Sequence, residues 1–124
     1  MTVPQTIALV DLSCIFKKNF HANPPNGGAK TLAELVAIRE TVAHTILCLD
    51  SKPYARREKI YAAYKANRPP MTDEEKYQRR WLHEELKKGG WQTARVEFEE
   101  ADDVIASLAR IYELWGAEVQ LVGA

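Results

Sequence analysis

The stretch 7-IALVDL-12, from Ile7 to Leu12, decides the fold. It is short, nearly continuous in apolar side chains, and broken only by Asp11. A strand with one wet face alternates apolar and polar residues, whereas an unbroken run belongs to a strand covered on both faces, as in parallel sheets. ILCL (46–49), ending in Asp50, repeats the pattern. Between the two, NPPNGG (23–28) is turn chemistry and reads as a loop. TLAELVAIRETVAHT (31–45) then places Leu32, Leu35, Val36, Ile38 and Val42 near helical spacing, with Thr31 as its expected cap.

Further along, TDEE (72–75) matches a capping box, with Thr72 as N-cap and Glu75 three residues on. The helix it starts carries Tyr77, Trp81, Leu82 and Leu86 and stops at Gly89-Gly90. WQTARVEF (91–98) reads as a third strand. After it, Ala101, Val104, Ile105, Leu108, Tyr112 and Trp115 form an apolar helical stripe with Gly116 just past its end, and AEVQLVG (117–123) makes a fourth strand. Strands separated by helices imply right-handed crossovers and a parallel sheet, so the expected class is three-layer α/β in one domain spanning 1–124.

Composition narrows the function classes. No stretch of the 124 residues approaches the run of about 20 apolar residues needed to span a membrane, and MTVPQT lacks the charged-then-apolar pattern of a secretion signal. A cytoplasmic protein without membrane contact is expected. Cys14 and Cys48 lack metal-ligand spacing and read as buried reduced thiols. The formal net charge is zero, yet the charges are segregated. Between 52 and 70 lie Lys52, Arg56, Arg57, Lys59, Lys65 and Arg68 against Glu58 alone, interleaved with Tyr54, Tyr61 and Tyr64. Between 96 and 118 lie seven acids, Glu97, Glu99, Glu100, Asp102, Asp103, Glu113 and Glu118, against Arg110. Basic and aromatic residues together suit phosphates and stacked bases. An exposed helix or a solvated face is the plainer reading of either charge run taken alone.

Ligands of open parallel sheets bind beyond the C-terminal strand ends. That rule gathers Asp11, Asp50, and the helix-opening Glu100, Asp102 and Asp103 at one edge. Each has an ordinary role available, as a strand end or a helix cap. On an ideal helix Glu100 and Asp103 share a face and Asp102 lies to its flank. Five carboxylates without histidine or thiol suit hard divalent cations, Mg²⁺ or Mn²⁺ rather than zinc.

VDLSCIFKKNFHA (10–22), CLDSKPYARREKIYAAYKANRPP (48–70) and EADDVIASLARI (100–111) resemble, in order, the N-terminal part of the 5′-3′ exonuclease and flap endonuclease family, which stands at the front of bacterial DNA polymerase I and in phage 5′ nucleases. The resemblance implies a PIN-like fold with a mostly parallel central sheet. It implies metal-dependent cleavage of DNA carrying a free 5′ end or 5′ flap, in replication and repair, with two divalent ions in a complete site. Carried over by position, Asp11, Asp50, Glu100, Asp102 and Asp103 match metal ligands. A helical gateway would occupy 51–70, with Arg56, Tyr64, Lys65 and Arg68 at its basic and aromatic positions and Arg57 as a further DNA contact. Lys65 and Arg68 would stabilise charge on the scissile phosphate.

The chain also departs from the family pattern. Leu12 follows the first aspartate in place of glycine, and Lys17 stands where arginine is usual. Phe98 and Glu99 replace a glycine and an aromatic before Glu100, and phenylalanine is costly at positive φ. The sequence ends at VQLVGA, before the Asp-Lys-Asp segment that supplies further ligands in the family, so a fold truncated at its C-terminal side and a weakened metal site are expected. The alternative is a non-catalytic nucleic-acid-binding module that keeps the gateway. A receiver-type phosphoacceptor fits less well, because here the doubled acids open a helix.

Overall fold

The computed structural model describes residues 5–51 and 71–123. Within them β1 (Thr6–Asp11), β2 (His44–Cys48), β3 (Gln92–Ala94) and β4 (Glu118–Val122) form one sheet in the order β3-β2-β1-β4, every pairing parallel. The helices are α1 (Leu12–Ala22), α2 (Gly27–Thr41), α3 (Asp73–Lys88) and α4 (Ala101–Leu114), with a 3-10 turn at Pro24–Asn26. None is long and apolar enough to cross a membrane.

Both faces of β1 are buried, as its apolar run requires. Ala8 and Val10 point with Leu47 into a core shared by α1, α2 and α3, through Phe16, Leu35, Leu82 and Leu86 among others. Ile7 and Leu9 point the other way with Ile46 and Cys48, onto Ala101, Val104 and Ile105 of α4. Three layers result, helix–sheet–helix. Leu12, at the position of the family's glycine, is absorbed into the first core at 3% exposure.

Three sequence expectations need correcting. Gly27 and Gly28 are not loop residues but the first turn of α2. A Cβ on Gly27 would sit 2.7 Å from Cα of Phe20, so the residue is small because α1 and α2 touch there. Thr31 therefore lies inside the helix and is buried, donating to the Gly27 carbonyl at 2.8 Å and accepting from Asn19 Nδ2 at 3.1 Å. The first turn of α2 is served instead by Gln78 of α3, whose Oε1 accepts from Gly28 N at 2.9 Å and whose amide nitrogen donates to the Pro24 carbonyl. Second, β3 occupies only three residues of 91–98, an exposed edge strand. Third, Cys14 is exposed; only Cys48 is a buried thiol, and neither forms a disulfide.

Other expectations hold. Thr72 Oγ1 accepts from Glu75 N at 3.2 Å and caps α3. Gly116 takes φ 84 after α4, the left-handed position that ends a helix. One further correction concerns Trp115, expected in the apolar stripe of α4: it is 76% exposed past the helix end, edge-on to Tyr112.

Candidate functional site

Asp11 ends β1 and also caps α1, its Oδ1 accepting from Cys14 N at 3.1 Å. The strand passes straight into the helix, so this carboxylate is fixed at the C-terminal edge of the sheet and only 6% exposed. Beyond β2, residues 49–51 continue along the neighbouring chain. Leu49 N donates to the Ala94 carbonyl and Ser51 N to the Glu99 carbonyl, each at 2.9 Å. Asp50 between them reaches α4, its Oδ1 accepting from Ala101 N at 2.8 Å.

The N-terminus of α4 is thus capped by a residue 51 positions away in the chain. Glu100 occupies the N-cap position but makes no side-chain cap bond. Its carbonyl accepts from Asp103 N and Val104 N. Side-chain capping of α4 thus falls to Asp50, not to the Glu100 side chain. The turn that delivers the acids of EEADD is strained, with Phe98 at φ 68, the left-handed region. The backbone keeps the conformation a glycine would take, and phenylalanine bears its cost.

The structure brings Asp11, Asp50 and Asp102 together. The Asp11 carboxyl is pushed up to about 6, first by burial, then by the charges of Asp50 and Asp102 and a side-chain hydrogen bond with Asp102; the Cys14 amide pulls the other way. Asp102, at the flank of the ideal helix, lies against Asp11. The same acids push up the exposed Cys14 thiol after burial has done so, and burial pushes the Cys48 thiol beneath them up to about 11. Asp103 is half-buried in the first turn of α4, and Glu100 is half-buried before it. The expected gateway residues Arg56, Arg57, Tyr64, Lys65 and Arg68 lie outside the described residues.

The donors at this edge are all carboxylate oxygens, which suits a hard divalent ion. Closure is another matter: among the described residues no three His, Cys, Asp or Glu side chains stand close enough to hold one ion. The donor chemistry fits the group.

Next to this cluster is a cavity of about 350 Å³ that sequence reading missed, with Asp50 in its wall and Arg79, His83 and Arg95 around it. Its signal was the spacing of Arg79 and His83, four residues apart and hence on one face of α3.

Residues 6–124 match the family model described as 5′-3′ exonuclease, N-terminal resolvase-like domain. The chain belongs to the 5′-3′ exonuclease family. Among curated relatives, DNA polymerase I of Pseudomonas aeruginosa is 36% identical over 115 residues, covering 84% of this chain and 13% of that one. The 5′-3′ exonuclease of Aquifex aeolicus is 31% identical over 129 residues, covering 94% and 44%. The chain spans less than half the length of these curated relatives. Its fold is that of bacteriophage T5 5′-exonuclease solved with divalent zinc, at a TM-score of 0.60 and 22% identity over 94% of this chain and 48% of that one. A T5 flap endonuclease complex with DNA and metal ions superposes at a TM-score of 0.55 and 20% identity over 94% and 48%. The fold is therefore the PIN-like α/β arrangement of the 5′ nucleases.

Proposed function

We propose that this chain is the N-terminal part of a divalent-metal-dependent 5′-3′ exonuclease and 5′ flap endonuclease acting on DNA. The observation that carries the reading is the meeting of Asp11, Asp50 and Asp102 at the C-terminal sheet edge of a 5′-3′ exonuclease family member. Like charges placed together repel, and a bound cation would offset that repulsion. Asp11, Asp50, Glu100, Asp102 and Asp103 would hold Mg²⁺ or Mn²⁺, two ions where the site is complete. Bound there, the metal would supply Lewis acidity toward a phosphodiester. The chain's own residues fix the geometry: the Cys14 amide orients Asp11, and the Ala101 amide orients Asp50. Lys65 and Arg68 would offset charge on the phosphate, and Arg56, Arg57 and Tyr64 would contact the 5′ strand.

One observation favours a second reading, a nucleic-acid-binding module without catalysis: among the described residues no three His, Cys, Asp or Glu form a set that could hold one ion. A single experiment separates the two. A labelled 5′-flap duplex is incubated with the protein and Mg²⁺ or Mn²⁺, alone and within a chain extended through the family's next segment. Cleavage abolished by Asp11→Ala and by Asp103→Ala supports the nuclease. Binding without cleavage in both forms, insensitive to EDTA but lost on charge reversal of Lys65 and Arg68, supports the module.

A further inference from the structure

We propose that the cavity between α1, α3 and the ends of β2 and β3 is a subsite for a nucleotide bearing a terminal phosphomonoester. Its apolar wall is made by Leu12, Phe16, Leu49 and Leu82, its polar rim by Arg79, His83, Arg95 and Ser13 with the one carboxylate of Asp50. Rim and wall differ in chemistry, as a ligand with an anionic head and an apolar or aromatic body requires. The volume of about 350 Å³ lies in the range of small-molecule sites and fits one nucleotide, not a duplex.

Among the described residues the cations of this rim have no carboxylate partner. Among the described residues Arg95 has neither ion pair nor hydrogen bond, and the Arg79 guanidinium has only Met71 Sδ, at 3.6 Å, a weak acceptor. Arg79 is half-buried and Arg95 exposed, so both guanidiniums can reach a ligand at the rim. Guanidinium presents forked donors matched to phosphate oxygens. A monoester phosphate carries close to two charges near neutral pH and a diester one, so a rim with two guanidiniums favours a strand end over its interior. His83 is held below the ordinary imidazole range, first by partial burial and then by the neighbouring Arg79 charge.

Asp50 borders both the cavity and the carboxylate cluster. A nucleotide seated in the cavity therefore lies beside the acids, and reading it as the end of a cleaved or incoming strand rests on the nuclease proposal. The cavity's own chemistry does not need it.

The test is equilibrium binding by calorimetry to the full chain in EDTA, so that neither metal nor cleavage enters. The probes are thymidine 5′-monophosphate, thymidine, inorganic phosphate, and tetrathymidylate with a 5′-phosphate or a 5′-hydroxyl. The monophosphate is expected to bind at least about tenfold more tightly than thymidine or phosphate alone, the 5′-phosphorylated oligomer likewise over its 5′-hydroxyl form. Arg79→Gln with Arg95→Gln should remove that advantage, while Arg110→Gln on the opposite layer keeps it, with melting curves confirming that both fold. Preference for the free mononucleotide over the phosphorylated oligomer, or the reverse, identifies the source within the proposed class. Equal binding of monophosphate and thymidine, phosphate binding as tightly as the monophosphate, or an unchanged double variant would overturn the assignment. Loss of cleavage in Asp103→Ala leaves this result untouched, and failure here leaves the cleavage reading standing.

Discussion

Replacing Phe98 by glycine and, separately, by alanine should reverse the usual order of the two residues. Both changes delete the same ring, which is 44% exposed, so the difference between them cancels the lost burial. What remains is the backbone at φ 68. An L-residue there costs roughly 1–2 kcal/mol, whereas glycine loses about 0.5–1 kcal/mol more chain entropy on folding than alanine. The balance favours Phe98→Gly over Phe98→Ala by about 0.5–1 kcal/mol, against a deficit of similar size in an ordinary position. For a domain of this length that separates the melting midpoints by roughly 2–5 °C. Urea denaturation of both variants, with equal m-values, gives the difference directly. Should Phe98→Ala prove as stable as Phe98→Gly, the left-handed turn and the strain attached to it would be wrong.

Other outcomes follow from the same geometry. The Asp11 carboxyl is raised from 3.8 to about 6, so the folded protein binds more protons than the unfolded chain between those values. This contribution to stability should be complete below about pH 4 and be lost as pH rises through about 6, so that by neutral pH about 2–3 kcal/mol of it is gone. Melting of wild type against Asp11→Asn, with and without Mg²⁺, measures it; added Mg²⁺ should restore wild-type stability at pH 7 more than at pH 5. Gly27→Ala places a Cβ 2.7 Å from Phe20 Cα and should destabilise by about 1–3 kcal/mol in a denaturant titration, since backbone cannot yield as a side chain can. Thr45 Oγ1 is buried without a hydrogen-bond partner among the described residues, so Thr45→Val should leave stability unchanged or raise it by about 1 kcal/mol in a thermal melt.

The elements that could be read in advance were those whose signal is local. The buried runs of β1 and β2, the Thr72 cap and the Gly116 stop depend on neighbours within one or two turns, and the structure keeps all of them. The parts that were misread depend on partners far along the chain. Gly27 looks like a breaker until Phe20 is placed against it, and Thr31 looks like a cap until Asn19 claims its hydroxyl. Helix α1 follows β1 without a break, so its spacing of Leu12, Ile15, Phe16 and Phe20 is hidden behind the strand. At the site, the strand-end rule brought the acids to one edge, but neither the pairing of Asp11 with Asp102 nor the bond from Ala101 to Asp50 has a sequence signature. Arg79 and Arg95 meet at one cavity from elements that no local pattern connects.

The Asp50 cap makes the Ala101 amide a reporter. That N–H is bonded only while β2's extension and the start of α4 are docked. Its hydrogen-exchange rate therefore measures how often the acidic edge comes apart, residue by residue and without a substrate. Asp50→Asn keeps an acceptor oxygen and should leave that rate slow, whereas Asp50→Ala should let it approach the rate of a frayed helix end. A ligand that draws Asp50 away from α4 would speed this one amide while slowing its neighbours, so the same atom distinguishes tightening of the edge from its rearrangement.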